Sequence, residues 1–318
     1  MSDNLLKKAM LYEYPEEIPV SSWITPSAWL AHGEELFRVA REFLDVCYVP
    51  EDLSKVEEEM PIGYRLGTRI DEWGCVWENA EAGLEGIVTK HPLPNREDIL
   101  TLEIPKNRDG SLPHGFMYLR VLDLRGFEEA MIDFAEECDE IQILLDKIVE
   151  YNMYQIDAVL PTSGDIVRFG DDLGMQNGLA IGAEKWRKYL KPCFAKMYKK
   201  VRDAGKLVYM HTDGKIDEIM PDLVECGVNM INPQFRANGL DNLVRVCKGK
   251  IPINLDLDRQ MYPFATPSQL DDHVRECVEA LYLPEGGLGL YVEISHDIPL
   301  ENVAALLSAL RKYKTYKG

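Results

Sequence analysis

The chain has 318 residues, which is longer than the usual domain of about 100 to 200 residues but within the size range of single α/β barrels. Its net charge is −19, from 35 Lys and Arg residues against 54 Asp and Glu residues, and no cluster of basic residues interrupts this acidity. Such a surface repels a phosphate backbone, so we expect no nucleic acid partner.

The N-terminus contains no apolar run as long as that of a signal peptide, and no later stretch approaches the ~20 apolar residues of a membrane span. The seven cysteines are scattered singly, without a CxxC pair, which is typical of reduced thiols. We therefore expect a cytoplasmic protein with no membrane segment.

Residues 1–110 show little regular alternation of strands and helices. They contain an acidic, helix-like stretch at residues 51–60 and a short aromatic segment further on. Alternation in that segment places Trp73, Cys75 and Trp77 on one face of a strand, which indicates a core or hairpin face. We interpret this region as an N-terminal extension.

Strand-like apolar runs alternate with helical periodicity from residue 115 onward. The strands are predicted at residues 116–122, 166–170, 207–211, 228–232, 252–256 and 288–294. Helices are predicted at residues 184–204, 217–226, 240–247, 267–281 and 299–313.

This alternation is typical of parallel strands joined by crossover helices. No GxGxxG motif opens any of the helices, which disfavours a dinucleotide-binding sheet. We therefore predict an α/β protein with a (β/α)8 TIM barrel. Residues 1–318 would form a single domain, with an irregular part at 1–110 and regular repeats at 111–318.

Polar residues gather where five successive strands end. A TIM barrel carries its active site at these carboxyl ends, because the βα loops converge there. Turn chemistry accounts for some Asp and Asn residues but does not call for His211, Glu293 or His296. The residues that we expect to line the site are Asp171, Asp172, Gln176, His211, Asp213, Asp256, Glu293 and His296.

His211 and Asp213 are two residues apart at a strand end, so their side chains face the same side. A ring nitrogen of His211 with carboxylate oxygens of Asp213 and Glu293 can hold a single metal ion and leave a position open to substrate. Zinc suits these ligands, and so do other divalent ions. Alternatively, Glu293 forms an ion pair with a Lys or Arg, and His296 hydrogen-bonds a ligand instead of binding the metal.

Asp171 and Asp172 are adjacent, so one of them should face inward. A buried aspartate near other carboxylates has a raised pKa and can act as a general acid, whereas Asp172 with Gly174 can also cap a turn. Asp256 and Asp258 leave the same alternatives open. We expect Asp171, Asp172, Gln176, Asp256 and His296 to line the pocket, donate a proton or orient a ligand.

The sequence resembles the uroporphyrinogen decarboxylase superfamily, and its methyltransferase-type branch more than the haem-pathway decarboxylases. The resemblance extends over about residues 71–313 and implies a TIM barrel. The motifs that carry it are DEWG (71–74), FGDDLG (169–174), LKP (190–192), YMHTDG (209–214), LVECGVN (223–229), INP (231–233), NLD (254–256) and PLENV (299–303).

Two departures from the family pattern bear on the chemistry. The arginine-rich RQAGRY signature of the decarboxylases is missing, and an acidic chain without those cations is poorly suited to a substrate with many carboxylates. The corrinoid-dependent methyltransferases commonly hold zinc with a His-x-Cys motif and a later cysteine. Here Asp213 stands at the cysteine position, and an oxygen-rich site suits an ether, hydroxyl or carboxylate better than a thiolate.

The resemblance implies a metal-dependent methyltransferase that moves a methyl group between a small methylated substrate and a separate corrinoid protein, with zinc as the expected metal. The barrel mouth would bind the corrinoid protein. A decarboxylase or lyase acting on a smaller acid and a barrel that only binds a small ligand are the alternatives. The methyl donor, the methyl acceptor and the oligomeric state, including a homodimer, are left open.

Overall fold

A computed structural model describes residues 3–318. Its helices are α1 (Asp3–Leu11), α2 (Pro26–Arg41), α3 (Val56–Glu59), α4 (Asp98–Thr101), α5 (Tyr118–Arg125), α6 (Phe127–Glu136), α7 (Asp139–Val159), α8 (Gly182–Lys185), α9 (Lys191–Asp203), α10 (Met220–Glu225), α11 (Phe235–Asn238), α12 (Leu240–Cys247), α13 (Pro267–Leu281) and α14 (Leu300–Tyr313). Short 3₁₀ segments occur at Leu53–Lys55, Ile62–Tyr64 and Arg259–Met261, and a π-helical segment occurs at Trp186–Leu190.

The strands are β1 (Val20–Ile24), β2 (Gly67–Ile70), β3 (Val76–Asn79), β4 (Ile87–Lys90), β5 (Ile166–Gly170), β6 (Leu207–Thr212), β7 (Met230–Pro233), β8 (Ile253–Asp256) and β9 (Leu288–Ile294). The chain divides into two compact units. The central unit comprises residues 69–77 and 88–233, and the terminal unit comprises residues 3–68, 78–87 and 234–318.

The central unit contains three neighbouring parallel strands, β5, β6 and β7. Their register places Gly170 beside His211, and His211 beside Asn232. Behind these strands, Phe169 contacts Phe116 and Tyr198 ring to ring at 5.0 Å in both cases. These ring contacts place Phe169 of β5 in an aromatic cluster, one residue before Gly170 at the carboxyl end of the strand.

The terminal unit contains the parallel strands β1, β9 and β8. Ile24 lies beside Ile294 in the register, and Asp256 lies beside Tyr291. Helices α13 and α14 pack against each other, and their buried faces follow helical spacing. Strand β1 falls in the region that the sequence left irregular.

An α/β fold with parallel strands and intervening helices is confirmed. The predicted strands at 166–170 and 288–294 and the predicted helices at 240–247 and 267–281 coincide with β5, β9, α12 and α13. Within residues 3–318, six strands pair in parallel, three in each unit. A closed eight-stranded barrel and a single domain over residues 1–318 stay predictions.

The predicted strand at residues 116–122 is wrong, because this segment begins helix α5. The buried residues Tyr118, Val121 and Leu124 recur every three positions, which is helical spacing. The backbone N–H groups of Tyr118 and Leu119 donate to the carboxylate of Asp171, at 2.5 and 2.9 Å. This distant cap satisfies the first turn, and the local sequence does not reveal it.

The predicted strand through Trp73, Cys75 and Trp77 is wrong in its first part. Strand β3 begins at Val76, and residues before it form a turn in which Gly74 has a φ of 89°. The Asp71 carboxylate accepts hydrogen bonds from the backbone N–H groups of Trp73 and Cys75, at 3.0 and 2.9 Å. The side-chain bonds of Asp71 therefore replace the ladder of a strand.

Capping residues mark several helix ends. Thr266 and Gln269 form a complete capping box at the start of α13. Gly205 and Gly227 follow helices with φ angles of 75° and 114°. Among residues 3–318, no helix has the length and apolar character that spanning a bilayer would require.

His273 in α13 is a buried histidine that is expected to make folding sensitive to acid. Burial lowers the pKa of His273 from its ordinary value of 6.5, Arg236 lowers it further and Asp258 opposes them. The backbone N–H of Asp258 donates to Nε2 of the ring at 3.1 Å, which requires a nitrogen without a proton. The folded state therefore favours neutral His273.

The free energy of unfolding should fall below pH 6.5, because the unfolded histidine binds a proton there and the buried ring does so only at lower pH. This contribution is greatest above pH 6.5 and is lost as the pH falls from 6.5 toward the lower pKa of the folded ring, with a slope of at most one proton per molecule. His273→Gln retains an acceptor for the Asp258 N–H but does not titrate, so the free energy of unfolding of this variant should fall less steeply below pH 6.5. Urea unfolding at a series of pH values measures this free energy. An equally steep fall in the wild type and the variant would contradict the expectation.

Candidate metal centre

The carboxyl ends of β5 and β6 bring two histidines and an aspartate together in the central unit. Within residues 3–318, His114, Asp172 and His211 are the group of His, Cys, Asp or Glu residues whose ligand atoms all lie within 4.8 Å of one another. Nε2 of His114 lies 3.1 Å from a carboxylate oxygen of Asp172. The rings of His114 and His211 are 5.5 Å apart at their centres.

Two glycines allow the loops after β5 and β6 to meet backbone to backbone. A Cβ on Gly214 would lie 2.1 Å from the carbonyl oxygen of Gly174, and the φ of Gly214 is 82°. The N–H of Gly174 donates to the carbonyl of Asp213 at 3.1 Å, and the N–H of Asp213 donates to the Asp172 carboxylate at 3.1 Å. The glycines of the FGDDLG and YMHTDG motifs therefore fix the distance between the two loops.

The absence of a side chain at Gly170 makes room for the ring of His114. A Cβ at this position would lie 2.7 Å from Nδ1 of His114. The N–H of Gly115 donates to the carbonyl of Gly170 at 2.8 Å and anchors the segment that carries His114. The end of β5 therefore positions a histidine that belongs to a distant loop.

Gly170→Ala is expected to displace His114 and weaken zinc binding by about 10- to 100-fold, the range seen when groups that orient ligands are lost. Competition with a chelating dye measures this affinity. The matched test is the same substitution in a His114→Ala background, where it should have little further effect because its target is gone. Additive losses in the double variant would contradict the displacement of His114.

His211 has an oxygen acceptor at each ring nitrogen. Nδ1 lies 2.8 Å from Oδ1 of Asn232, and Nε2 lies 3.2 Å from Oδ1 of Asp213. A neutral imidazole carries one N–H, so it can donate to only one of these oxygens. The second contact needs a positive charge, either another proton or a metal ion.

The electrostatics of the site favour the same conclusion. Burial lowers the pKa of His211, but the hydrogen bond and charge of Asp213 and the charge of Asp172 outweigh it and leave the pKa raised. Burial raises the pKa of Asp172, whereas the hydrogen bond from His114 and the charge of His211 hold it below its usual value. The surroundings thus stabilise the charged forms of both Asp172 and His211.

The side chains of this group are of the types that bind divalent ions. The ligand atoms of His114, Asp172 and His211 lie within 4.8 Å of one another, and Asp213 contacts His211 at 3.2 Å. Imidazole nitrogens with carboxylate oxygens match the ligand types that zinc and other divalent ions use.

Asp171 has a structural position at the start of α5. Its side chain is fully buried, and burial raises its pKa to about 7 although the N–H groups of Leu119 and Tyr118 lower it. Both carboxylate oxygens accept these helix N–H groups. Asp171 therefore caps the helix that follows the His114 segment, and a role as general acid stays a prediction.

The other predicted site residues of the terminal unit lie in a separate set of contacts. Arg259 donates to the buried carboxylate of Asp256 through Nε at 2.7 Å and lies 3.1 Å from an oxygen of Glu293. Nδ1 of His296 lies 3.3 Å from the Ser295 hydroxyl. The structure pairs Glu293 with an arginine, and its assignment as a metal ligand stays a prediction.

Gln176 lies exposed in the loop that follows Asp172, between Met175 and Gly178, which bridge at 2.8 Å. The structure therefore gathers Asp172, His211 and Asp213, which the sequence predicted. The sequence interpretation missed His114. Only its being a histidine could have pointed to it, because it lies in a loop and not at the end of a predicted strand. The hydrogen bond between Gly115 and Gly170 brings this loop to the site.

Comparison with known proteins supports the fold and the family. Among solved structures, a methyltransferase from Methanosarcina mazei is similar with a TM-score of 0.66 and 17% identity, covering 97% of this chain and 98% of that chain. Dihydropteroate synthase from Xanthomonas albilineans (TM-score 0.32, 16% identity, 46% of this chain and 52% of that chain) and 3-keto-D-glucoside 4-epimerase from E. coli (TM-score 0.35, 13% identity, 72% and 97%) are too distant to support an argument. No curated protein matches the chain.

The family model for uroporphyrinogen decarboxylase matches residues 121–313, which include the ends of β5 and β6 and therefore Asp172 and His211. Because this match spans more than half of the chain, the chain belongs to the uroporphyrinogen decarboxylase family.

Proposed function

We propose that the protein is a metal-dependent methyltransferase that moves a methyl group between a small methylated substrate, such as an ether or amine, and a corrinoid on a separate protein. The observation that carries the proposal is the group of His114, Asp172 and His211, whose ligand atoms all lie within 4.8 Å of one another at the ends of β5 and β6. Family membership and a fold shared with a methyltransferase favour the same activity.

The proposed metal ligands are His114, Asp172 and His211, with Asp213 beside His211 as a fourth. Zinc is the proposed ion, because imidazole and carboxylate groups hold it in catalytic sites. When bound, the metal supplies positive charge that polarises the heteroatom of the substrate and stabilises the electron pair left behind when the methyl group departs. Roles for Glu293, Asp256, Gln176 and His296 remain predictions.

Glycines at the ends of β5 and β6 position the side chains of the proposed ligands. Gly170 leaves room for the His114 ring, and the backbone contact of Gly174 with Gly214 holds the two carboxylate-bearing loops together. The carboxylates carry the negative charge that a divalent cation neutralises, so the site favours a substrate with a neutral ether, hydroxyl or amine donor. The proposal also includes an eight-stranded barrel that binds the corrinoid protein at its mouth and a cytoplasmic location.

The test uses protein purified without a polyhistidine tag. We expect about one zinc ion per chain after reconstitution. A panel of methylated ethers and amines should convert cob(I)alamin to methylcobalamin, followed by absorbance, and removal of zinc by a chelator should stop the reaction. Zinc restored to the stripped protein should restore it.

Three results would contradict the proposal. Protein that binds no metal after zinc reconstitution has no such site. Metal-independent release of CO2 from small carboxylic acids, without methyl transfer, would favour the decarboxylase alternative, and saturable ligand binding without turnover would favour a binding protein. A parallel sample with zinc-loaded protein and no methyl donor controls for spontaneous oxidation of the cobalamin.

A further inference from the structure

Asn232 is a buried amide beside the proposed metal centre, and the mechanism above gives it no role. Its side chain is 3% exposed and belongs to β7, directly across from His211 in the parallel register. Oδ1 of Asn232 lies 2.8 Å from Nδ1 of His211. Because both residues lie on packed strands, this contact is set by the sheet itself.

The contact between Asn232 and His211 selects one of the two neutral tautomers of the imidazole ring. A carbonyl oxygen at Nδ1 accepts a hydrogen bond only when that nitrogen carries the proton. The lone pair of a neutral ring is then on Nε2, which lies 3.2 Å from the Asp213 carboxylate. An unprotonated nitrogen facing a carboxylate at this distance is unfavourable unless a cation lies between them.

We propose that Asn232 is a positioning residue that keeps the proton on Nδ1 of His211, so that Nε2 is the nitrogen that binds the metal. This inference rests on the metal site of the proposed function. Groups of this kind orient a ligand histidine and raise its basicity, and their loss typically weakens metal binding 10- to 100-fold. Asn232 itself contacts neither the metal nor the substrate.

Two substitutions at Asn232 distinguish the effect of its acceptor oxygen from the effect of its side-chain volume. Asn232→Asp keeps an oxygen acceptor, whereas Asn232→Leu removes it with a similar volume. We expect the aspartate variant to bind Zn2+ as tightly as the wild type or more tightly, and the leucine variant to bind it about 10- to 100-fold more weakly. Competition with a chelating dye measures both affinities with Zn2+ alone.

A matched control is Asn302→Leu in α14. Asn302 is 5% exposed and donates to the carbonyls of Tyr262 and Ala265 at 2.7 and 2.9 Å, so this variant also loses a buried amide and its hydrogen bonds. It should keep the zinc affinity of the wild type. Equal losses in the two leucine variants would mean that Asn232 acts only through stability, which would overturn the inference.

The form of the His211 ring can be read directly by NMR with 15N-labelled histidine, with His211→Gln to assign the signals. In the wild type we expect a protonated Nδ1 in both the metal-free and the zinc-loaded protein, and a metal-bound Nε2 after loading. A metal-bound Nδ1 would overturn the inference, as would an aspartate variant that binds as weakly as the leucine variant. If the wild type binds no metal, the proposed function fails, whereas the metal-free spectrum still decides whether Asn232 holds the proton on Nδ1.

Discussion

Asp172→Ala and His211→Ala are each expected to remove the metal and to lower the rate of methyl transfer about 1000-fold or more. The metal supplies several kcal/mol of charge stabilisation, and each 1.36 kcal/mol corresponds to a factor of ten in rate. Both side chains belong to the group whose ligand atoms lie within 4.8 Å of one another. Metal content and single-turnover methylation of cobalamin measure the two losses together.

The matched control for Asp172→Ala is Asp203→Ala. Asp203 pairs with Lys199 on the surface of α9, and its side chain is 63% exposed. This variant should retain both metal and activity, because exposed pairs of this kind contribute little. If Asp172→Ala or His211→Ala keeps a full complement of zinc with unchanged affinity, the metal site is elsewhere in the protein.

Asp71→Ala is expected to lower the free energy of unfolding by about 3 to 5 kcal/mol, the range seen when one partner of a buried ion pair is removed. The Asp71 side chain is 5% exposed and lies 2.8 Å from the Arg120 guanidinium, which is 8% exposed. It also accepts a hydrogen bond from the indole of Trp77 at 3.0 Å. Burial opposes ionisation, but Trp77 and Arg120 hold the pKa of Asp71 below its usual value.

Urea unfolding at neutral pH checks this result against the wild type and Asp203→Ala, which should differ by no more than about 0.5 kcal/mol. Asp71→Ala leaves the Arg120 charge buried without this partner and the turn before β3 without its acceptor. Both losses lower the free energy of unfolding. A change below about 1 kcal/mol would mean that Arg120 finds another partner, with Asp123 at 3.6 Å as the obvious one.

The two adjacent aspartates of the FGDDLG motif have different hydrogen-bonding partners. Asp171 turns toward the backbone of α5, and Asp172 turns toward His114 and the N–H of Asp213. The alternation of side chains at a strand end predicts this division. It does not predict which of the two faces the titratable groups.

The ion pairs of the terminal unit illustrate a further use of strand-end carboxylates. Asp256 is fully buried and Arg259 lies against both it and Glu293. A buried carboxylate needs such a partner, because an isolated charge in the interior is strongly unfavourable. Polar residues at strand ends therefore include structural ion pairs as well as ligands.

The sequence by itself determined the elements whose signals are local. Apolar runs located β5 and β9, and helical periodicity located α12 and α13, because both signals depend on residues a few positions apart. Strand-end polarity also identified Asp172, His211 and Asp213 as neighbours, since parallel strands bring their carboxyl ends to one edge.

Only the tertiary structure decided the partners that come from distant parts of the chain. His114 reaches the site because Gly170 leaves room above the end of β5, and Asn232 meets His211 through the register of β6 and β7. Residues 118–122 are helical instead of extended because the carboxylate of Asp171 caps them from 53 positions away. Short apolar runs favour helix and strand almost equally, so a single long-range hydrogen-bonding partner is enough to decide between them.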